Sequence, residues 1–288
     1  MPADGVTDAP DPQAPTPKRL AAGWLSRFDQ FDVVGSTNDV VMGWLNEGTP
    51  EVCGAIADVQ SAGRGRNGRA WTAPPGAAVL ASVGFRPTWL DVGHTWRLGA
   101  LVSLAMAEAC EVASGMRPGS ISLKWPNDLV VIDRSHGDVR KLAGMIGETE
   151  GLGTPDAKAV FGIGANVTWP RERFPAELAS TMTSVADLAP ADRLVERDLV
   201  IDVFLQRLER FVTALKAGSF PAEAWSRRQL TSGTIVILSQ PDGTSETVVA
   251  ERVDPETGAL VVRDTGEGSP SRPVIVGEIQ HLRIGGVM

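Results

Sequence analysis

Apolar residues recur at helical spacing in three stretches of the chain and at strand spacing through much of the rest. Val40, Val41, Trp44 and Leu45 fall on one helical face just after Ser36-Thr37-Asn38, which supplies N-cap residues, and Gly48 and Pro50 end that segment. Residues 97–113 carry Leu98, Leu101, Val102, Ala105, Met106 and Ala109 in the pattern of a core-facing helix. A long amphipathic helix is predicted over 192–216, with Val200, Val203, Phe204, Leu208, Phe211, Val212 and Leu215 on its buried side. Apolar runs at 52–59, 77–85, 121–125, 129–132, 142–148 and 160–167 predict strands. A Pro-Asn-Asp bend separates the third and fourth of these, and 133–140 reads as a polar hairpin tip. After about residue 230 the character changes. Short runs at 235–238, 247–253, 260–263 and 274–279, punctuated by Asp242-Gly243, Thr257-Gly258 and Gly266, predict a small β-barrel.

Residues 1–20 are rich in Pro, Ala and Asp and carry too little apolar surface to offset ordering entropy, so they read as a disordered tail. The expected organisation is that tail, a main domain over 21–229 and a small domain over 230–288. A chain of 288 residues with 43% hydrophobic content and mean hydropathy −0.02 can bury a full core. Its formal net charge of −8 argues against broad nucleic-acid or membrane-surface binding. Cys53 and Cys110 are the two cysteines, too few for a disulfide framework, and His94, His136 and His281 lack metal-ligand spacing. No apolar run approaches the roughly 18 residues of a membrane span, and the start has no basic-then-apolar signal pattern. The expectation is a cytoplasmic protein.

Against that acidic background Gly63-Arg64-Gly65-Arg66-Asn67-Gly68-Arg69 stands out. Glycine lets backbone N–H groups come close to an oxyanion, and each guanidinium offers a forked pair of donors. The stretch matches Gly-x-Gly-x-x-Gly, but a dinucleotide fingerprint opens a helix, and Ala-Trp71-Thr-Ala-Pro74-Pro75 cannot. A P-loop is excluded because no Gly-Lys-Ser/Thr follows. The bland alternative is a solvated basic loop.

Lys124-Trp125-Pro126-Asn127-Asp128 joins a strand-end lysine to a turn bearing an amide and a carboxylate; it is either a donor–acceptor set or an ordinary β-turn. Lys141-Leu142-Ala143-Gly144-Met145 places a lysine at the start of an apolar strand, at a pocket mouth or as an edge-strand gatekeeper. Ser36-Thr37-Asn38 is a helix cap or a polar set aimed into a pocket. Asn166, amid Gly162, Gly164 and Ala165, needs a hydrogen-bond partner if buried.

In this order and spacing the three segments resemble the biotin protein ligases, whose patterns are Gly-Arg-Gly-Arg-x-Gly-Arg, Lys-Trp-Pro-Asn-Asp and Lys-Leu-x-Gly-Ile. Ser36-Thr37-Asn38, Gln60 and the Gly-x-Gly-x-Asn ending at Asn166 add to the likeness, which covers about residues 30–285. Met145 replaces the commoner Ile. The resemblance implies an α+β fold: a class II aminoacyl-tRNA synthetase-like catalytic domain with a mixed, largely antiparallel sheet flanked by helices, plus a small SH3-like β-barrel. It implies activation of biotin by ATP, with Mg²⁺, as biotinyl-5′-AMP. Transfer to a lysine of a biotin carboxyl carrier domain follows. Ser36, Thr37, Asn38 and Gln60 would bind the biotin ring, and Arg64, Gly65 and Arg66 would close over its tail. Lys141 would sit where carboxylate and α-phosphate meet, with Arg64 as the other catalytic cation. The nucleotide would be met by Arg66, Arg69, Trp71, Lys124, Asn127, Asp128 and Asn166, with Mg²⁺ near Asp128 and Arg283 as a further contact. Some members carry an N-terminal helix-turn-helix; the tail here is too short and proline-rich for one, so no DNA partner is expected. A monomer and a homodimer are equally compatible with the sequence. The rivals are a lipoate–protein ligase of the same fold and an Arg/Gly-loop RNA-binding module with Trp71 as a stacking platform.

Overall fold

The structure is a computed structural model that describes residues 23–133, 137–266, 268–275 and 277–281, and the backbone of Lys18 and Arg19. In chain order β1 (Lys18–Arg19), β2 (Arg27–Val34), α1 (Thr37–Asn46), β3 (Cys53–Gln60), β4 (Ala78–Phe85) and α2 (Trp96–Ser114) come first. The hairpins of β5 (Ser122–Lys124), β6 (Asp128–Asp133), β7 (Asp138–Glu150) and β8 (Lys158–Asn166) follow. Two single-turn helices, α3 (Ala176–Ala179) and α4 (Val185–Leu188), lead to α5 (Arg197–Lys216) and α6 (Ala222–Arg227). The chain closes with β9 (Thr234–Ser239), β10 (Ser245–Val253), β11 (Leu260–Asp264), β12 (Arg272–Val274) and β13 (Glu278–His281).

The first eight strands form one sheet in the order β1-β2-β3-β4-β8-β7-β6-β5. Every pairing in it is antiparallel except β2 with β3. The last five form a second antiparallel sheet, β12-β11-β10-β9-β13. This is the mixed, largely antiparallel α+β architecture that the resemblance implied, with a small β unit after residue 230.

Alternation along the strands divides the large sheet into two faces. Val79, Ala81, Val83, Phe161, Ile163 and Ala165 pack against α2 and α5 in the main core. The opposite face carries α1, whose Val41, Trp44 and Leu45 pack on Cys53, Ala55, Ala57 and Val160. Beyond the end of α1 that face is left hollow, because β8 places Gly162 and Gly164 there and β7 places Gly144. The site lies in this hollow.

Several elements differ from expectation in length. β2 was not foreseen; its Asp29 and Asp32 interrupt the apolar pattern, and Asp29 is tolerated at 4% exposure because Arg27 Nε donates to it at 2.7 Å. β7 extends back through Asp138–Arg140, which read as hairpin tip, because the backbone ladder to β6 continues past the polar residues. α5 begins at Arg197 rather than 192. The tail expected over 1–20 lies outside the described residues apart from Lys18–Arg19, whose backbone pairs with Gln30 and Asp29. Arg283 also lies outside them. No helix among the described residues is long and apolar enough to cross a membrane.

Candidate active site

The Gly/Arg stretch joins β3 to β4 as a small hairpin of its own. Gly65 N donates to Arg69 O (2.7 Å), Trp71 N donates to Gly63 O (2.9 Å), and one 3₁₀ turn over Arg66–Gly68 makes the tip. Asn67 there takes φ 55°, a left-handed conformation that asparagine tolerates better than most residues. No α-helix opens here, in line with the failed dinucleotide fingerprint.

At the hairpin's end the Trp71 indole lies on the glycine floor. Gly144 and Gly164 are paired across β7 and β8, and a Cβ on Gly164 would overlap the indole. A Cβ on Gly144 would come within 2.9 Å of Lys141 Nζ. The paired glycines thus seat both side chains. The Lys141 ammonium sits 5.3 Å from the Trp71 ring centroid and pairs with Asp128 Oδ1 at 2.7 Å.

Lys141 reaches this face through a β-bulge. In a regular strand the odd step from Gly144 would turn it into the core beside Ala143. The register runs Leu129↔Ala143 and then Val130↔Lys141, so Leu142 has no partner on β6 and the side-chain alternation is reset. The segment Thr181–Thr183 runs alongside, with Lys141 N donating to Thr181 O and Thr183 N to Lys141 O.

The residues to which the resemblance gives a role, within the described region, line one cavity of about 590 Å³: Ser36, Thr37, Asn38, Gln60, Arg64, Gly65, Arg66, Arg69, Trp71, Lys124, Asn127, Asp128, Lys141 and Asn166. They divide by chemistry. At one end Thr37 N donates to Gln60 Oε1 (2.7 Å), and Thr37 Oγ1 lies 2.7 Å from Ser82 Oγ. Ser82 Oγ donates to Asn38 Oδ1 (2.6 Å), and Asn38 Nδ2 donates to Glu148 Oε1 (3.0 Å). At the other end stand Lys124, Asn127, Asp128, Lys141 and Asn166.

The cations have different commitments. Arg64 donates through both terminal nitrogens to Asp39 (2.9 and 2.6 Å) and from one of them to Glu148 (2.9 Å). The Arg64 hydrogen bonds and charge hold the Asp39 carboxyl below its ordinary range, and the two carboxylates raise the Arg64 guanidinium further. Arg66 donates to Gly277 O (2.8 Å) and Arg69 pairs with Glu278 (3.2 Å), so the hairpin tip rests on the second sheet. The Lys124 ammonium has no hydrogen bond or ion pair among the described residues, and burial pulls it below the ordinary lysine value against the counter-effect of Asp128. Such a cation is available to an anion in the cavity.

Two amides show mixed roles. Asn127 Nδ2 donates to Met145 O (2.5 Å) while Met145 N donates to Asn127 O, so the turn reading holds for that side chain's donors. Asn166 Nδ2 donates to Thr183 O (3.1 Å), whereas its Oδ1 is buried with no hydrogen-bond partner among the described residues. An orphan carbonyl oxygen at a cavity wall calls for a donor or a cation.

Sequence reasoning missed Ser82, Asp39 and Glu148. Ser82 was visible as the one polar side chain in the run 78–85. Glu148 was visible as the even-numbered companion of Gly144 and Ile146 on a two-residue period. Cys53 and Cys110 are buried, with thiols pushed up to about 11 and about 12, so neither is a nucleophile at neutral pH.

The biotin/lipoate A/B protein ligase family pattern matches residues 31–166. The biotin–[acetyl-CoA-carboxylase] ligase of Mycobacterium tuberculosis is 32% identical over 270 residues, covering 91% of each chain. The bifunctional ligase/repressor BirA of Bacillus spizizenii is 27% identical over 214 residues, covering 74% of this chain and 62% of its own length. In fold, the biotin protein ligase from Aquifex aeolicus, solved with biotin and ATP, superposes with a TM-score of 0.69 at 23% identity, covering 89% of this chain and 98% of that one.

Proposed function

This chain belongs to the biotin protein ligases of the biotin/lipoate A/B protein ligase family, and from that premise we propose how its cavity activates biotin and passes it to a carrier lysine. The observation that carries the reading is Lys141, turned by the bulge into the same cavity that Ser36, Thr37, Asn38 and Gln60 line at its other end. A cyclic urea with a carboxylate tail suits that polar end, and a triphosphate suits the end at Lys141.

Biotin's ring is met by Ser36, Thr37, Asn38 and Gln60, and Gly65 and Arg66 cover its tail. A carboxylate oxygen attacks the α-phosphorus of ATP, the bond to the bridging oxygen breaks and pyrophosphate leaves. Two anions must meet, so catalysis rests on screening and alignment by fixed cations. Lys141 and Arg64 serve that role, with Lys124 and Arg69 toward the phosphates and Trp71, Asn127 and Asn166 framing the nucleotide. A carrier lysine amine then attacks the acyl carbon, loses its proton, and AMP leaves with the electrons of the acyl–oxygen bond. The hairpin over the cavity keeps water from the mixed anhydride in between.

Magnesium fits this reading as an ion held largely by phosphate oxygens. No cluster of three acidic, His or Cys groups exists among the described residues to bind it alone, but Asp128 and the unpartnered Asn166 Oδ1 are hard oxygen donors. When bound, it neutralises phosphate charge.

The carrier domain, the division of the chain at 229/230 and the roles of single residues belong to this proposal. Biotin-dependent ATP–pyrophosphate exchange by the purified protein is the test. Exchange that responds to lipoate and ignores biotin overturns it.

A further inference from the structure

Resting on the biotin reading, we propose that Asp39 is a positioning residue: by gripping Arg64 it fastens the Gly/Arg hairpin across the cavity and so retains biotinyl-5′-AMP between the two steps. The hairpin is tied down on two sides. Its tip is held to the second sheet by Arg66 on Gly277 O (2.8 Å) and by Arg69 on Glu278 (3.2 Å). Its first strand is held from the opposite side. There Arg64 donates from both terminal nitrogens to the two Asp39 oxygens (2.9 and 2.6 Å), and from one of them to Glu148 Oε1 (2.9 Å). The hairpin therefore runs as a strap from α1 and β7 to the start of β13, and Arg64, Gly65, Arg66, Arg69 and Trp71 line the cavity from it.

Asp39 stands in the first turn of α1, where a carboxylate ordinarily serves its own helix by accepting from the N-cap residue or by facing the positive end of the dipole. Here Ser36 makes no side-chain cap, and both Asp39 oxygens go instead to a guanidinium 25 positions away. Asp39 is not among the residues that line the cavity, whereas Arg64 is. Whatever this carboxylate does for a bound ligand therefore passes through Arg64. Glu148 is the weaker grip, because the oxygen that meets Arg64 also accepts from Asn38 Nδ2.

A lone exposed ion pair holds little. A forked guanidinium on one carboxylate, with a second carboxylate beside it, is the geometry that holds more. The grip matters because an acyl adenylate is lost either to water or by escape, and both require the strap to lift. With the tip tied to the second sheet, loosening the first strand opens the side of the cavity nearest α1.

The experiment loads the purified protein with synthetic biotinyl-5′-AMP, without carrier, and follows its loss from wild type, Asp39→Asn and Asp39→Glu. Asp39→Asn keeps the shape and removes the charge, and loss should quicken about fivefold with the melting temperature unchanged. Asp39→Glu, which keeps the charge, should stay close to wild type. In an Arg64→Ala background, where the strap is already unfastened, Asp39→Asn should add nothing. Loss at the wild-type rate in Asp39→Asn, or the same quickening with Arg64 absent, overturns the proposal and leaves the biotin reading standing. So does slower loss, which would mean that Asp39 competes with the ligand for Arg64. A wild type that neither holds biotinyl-5′-AMP nor exchanges pyrophosphate in response to biotin sinks both.

Discussion

Lys141 shows how a single side chain is made useful by what surrounds it. A glycine beneath it, a carboxylate at 2.7 Å and an indole face at 5.3 Å hold the ammonium in one place. Lys141→Ala should slow biotin-dependent pyrophosphate release by about a hundredfold or more, with melting unchanged, as expected for loss of a preorganised cation. Release at the wild-type rate would remove Lys141 from the chemistry. Lys124 gives a pH prediction. Burial lowers its folded pKa, so between that lowered value and the ordinary 10.5 the unfolded chain binds more protons, and stability from this group rises with pH. An anion at Lys124 draws the proton back, so pyrophosphate affinity should fall as pH rises through the same window. Titration of pyrophosphate binding against pH should show that fall in the wild type and not in Lys124→Arg.

At the scale of elements, the hairpin 63–71 and the bulge in β7 decide the site. The hairpin's backbone bonds are few, and its arginines bind neighbours instead of one another. Amide exchange over 63–69 should be fast in the free protein and slow with biotin and ATP present; equal protection in both states counts against closure over the ligand. A different kind of tie anchors α2. Arg228 forks onto Glu111 at 2.6 and 2.9 Å, and both are nearly buried. Arg228→Ala leaves a buried carboxylate without its cation and should cost about 3–5 kcal/mol in denaturant unfolding.

In the molecule as a whole the two sheets share a core. Val236, Leu238, Val248 and Val262 of the second sheet join one apolar cluster with Leu98 of α2, Leu123 of β5 and Trp125 of the turn after it. Trp125 Nε1 donates to Gly258 O (3.2 Å), and Arg66 and Arg69 reach Gly277 and Glu278. The second sheet therefore supports both the Lys124 turn and the hairpin tip. Calorimetry should give one unfolding transition, and two separated transitions would show that the sheets are independent.

Much of this was legible in the chain because it depends on near neighbours. Apolar residues at helical spacing marked α1 and α2, apolar runs marked the strands either side of the Gly/Arg stretch, and local motifs named the side chains that gather in the cavity. Partners distant in sequence were not legible. Nothing within ten residues of Lys141 foretells that Leu142 bulges out of register, and the pairing of Arg64 with Glu148 spans 84 positions. Local steric and hydrogen-bonding preferences act over a few residues and were written in the sequence. Which face a side chain takes, and which charge it meets, was settled only when strand register and packing closed the fold.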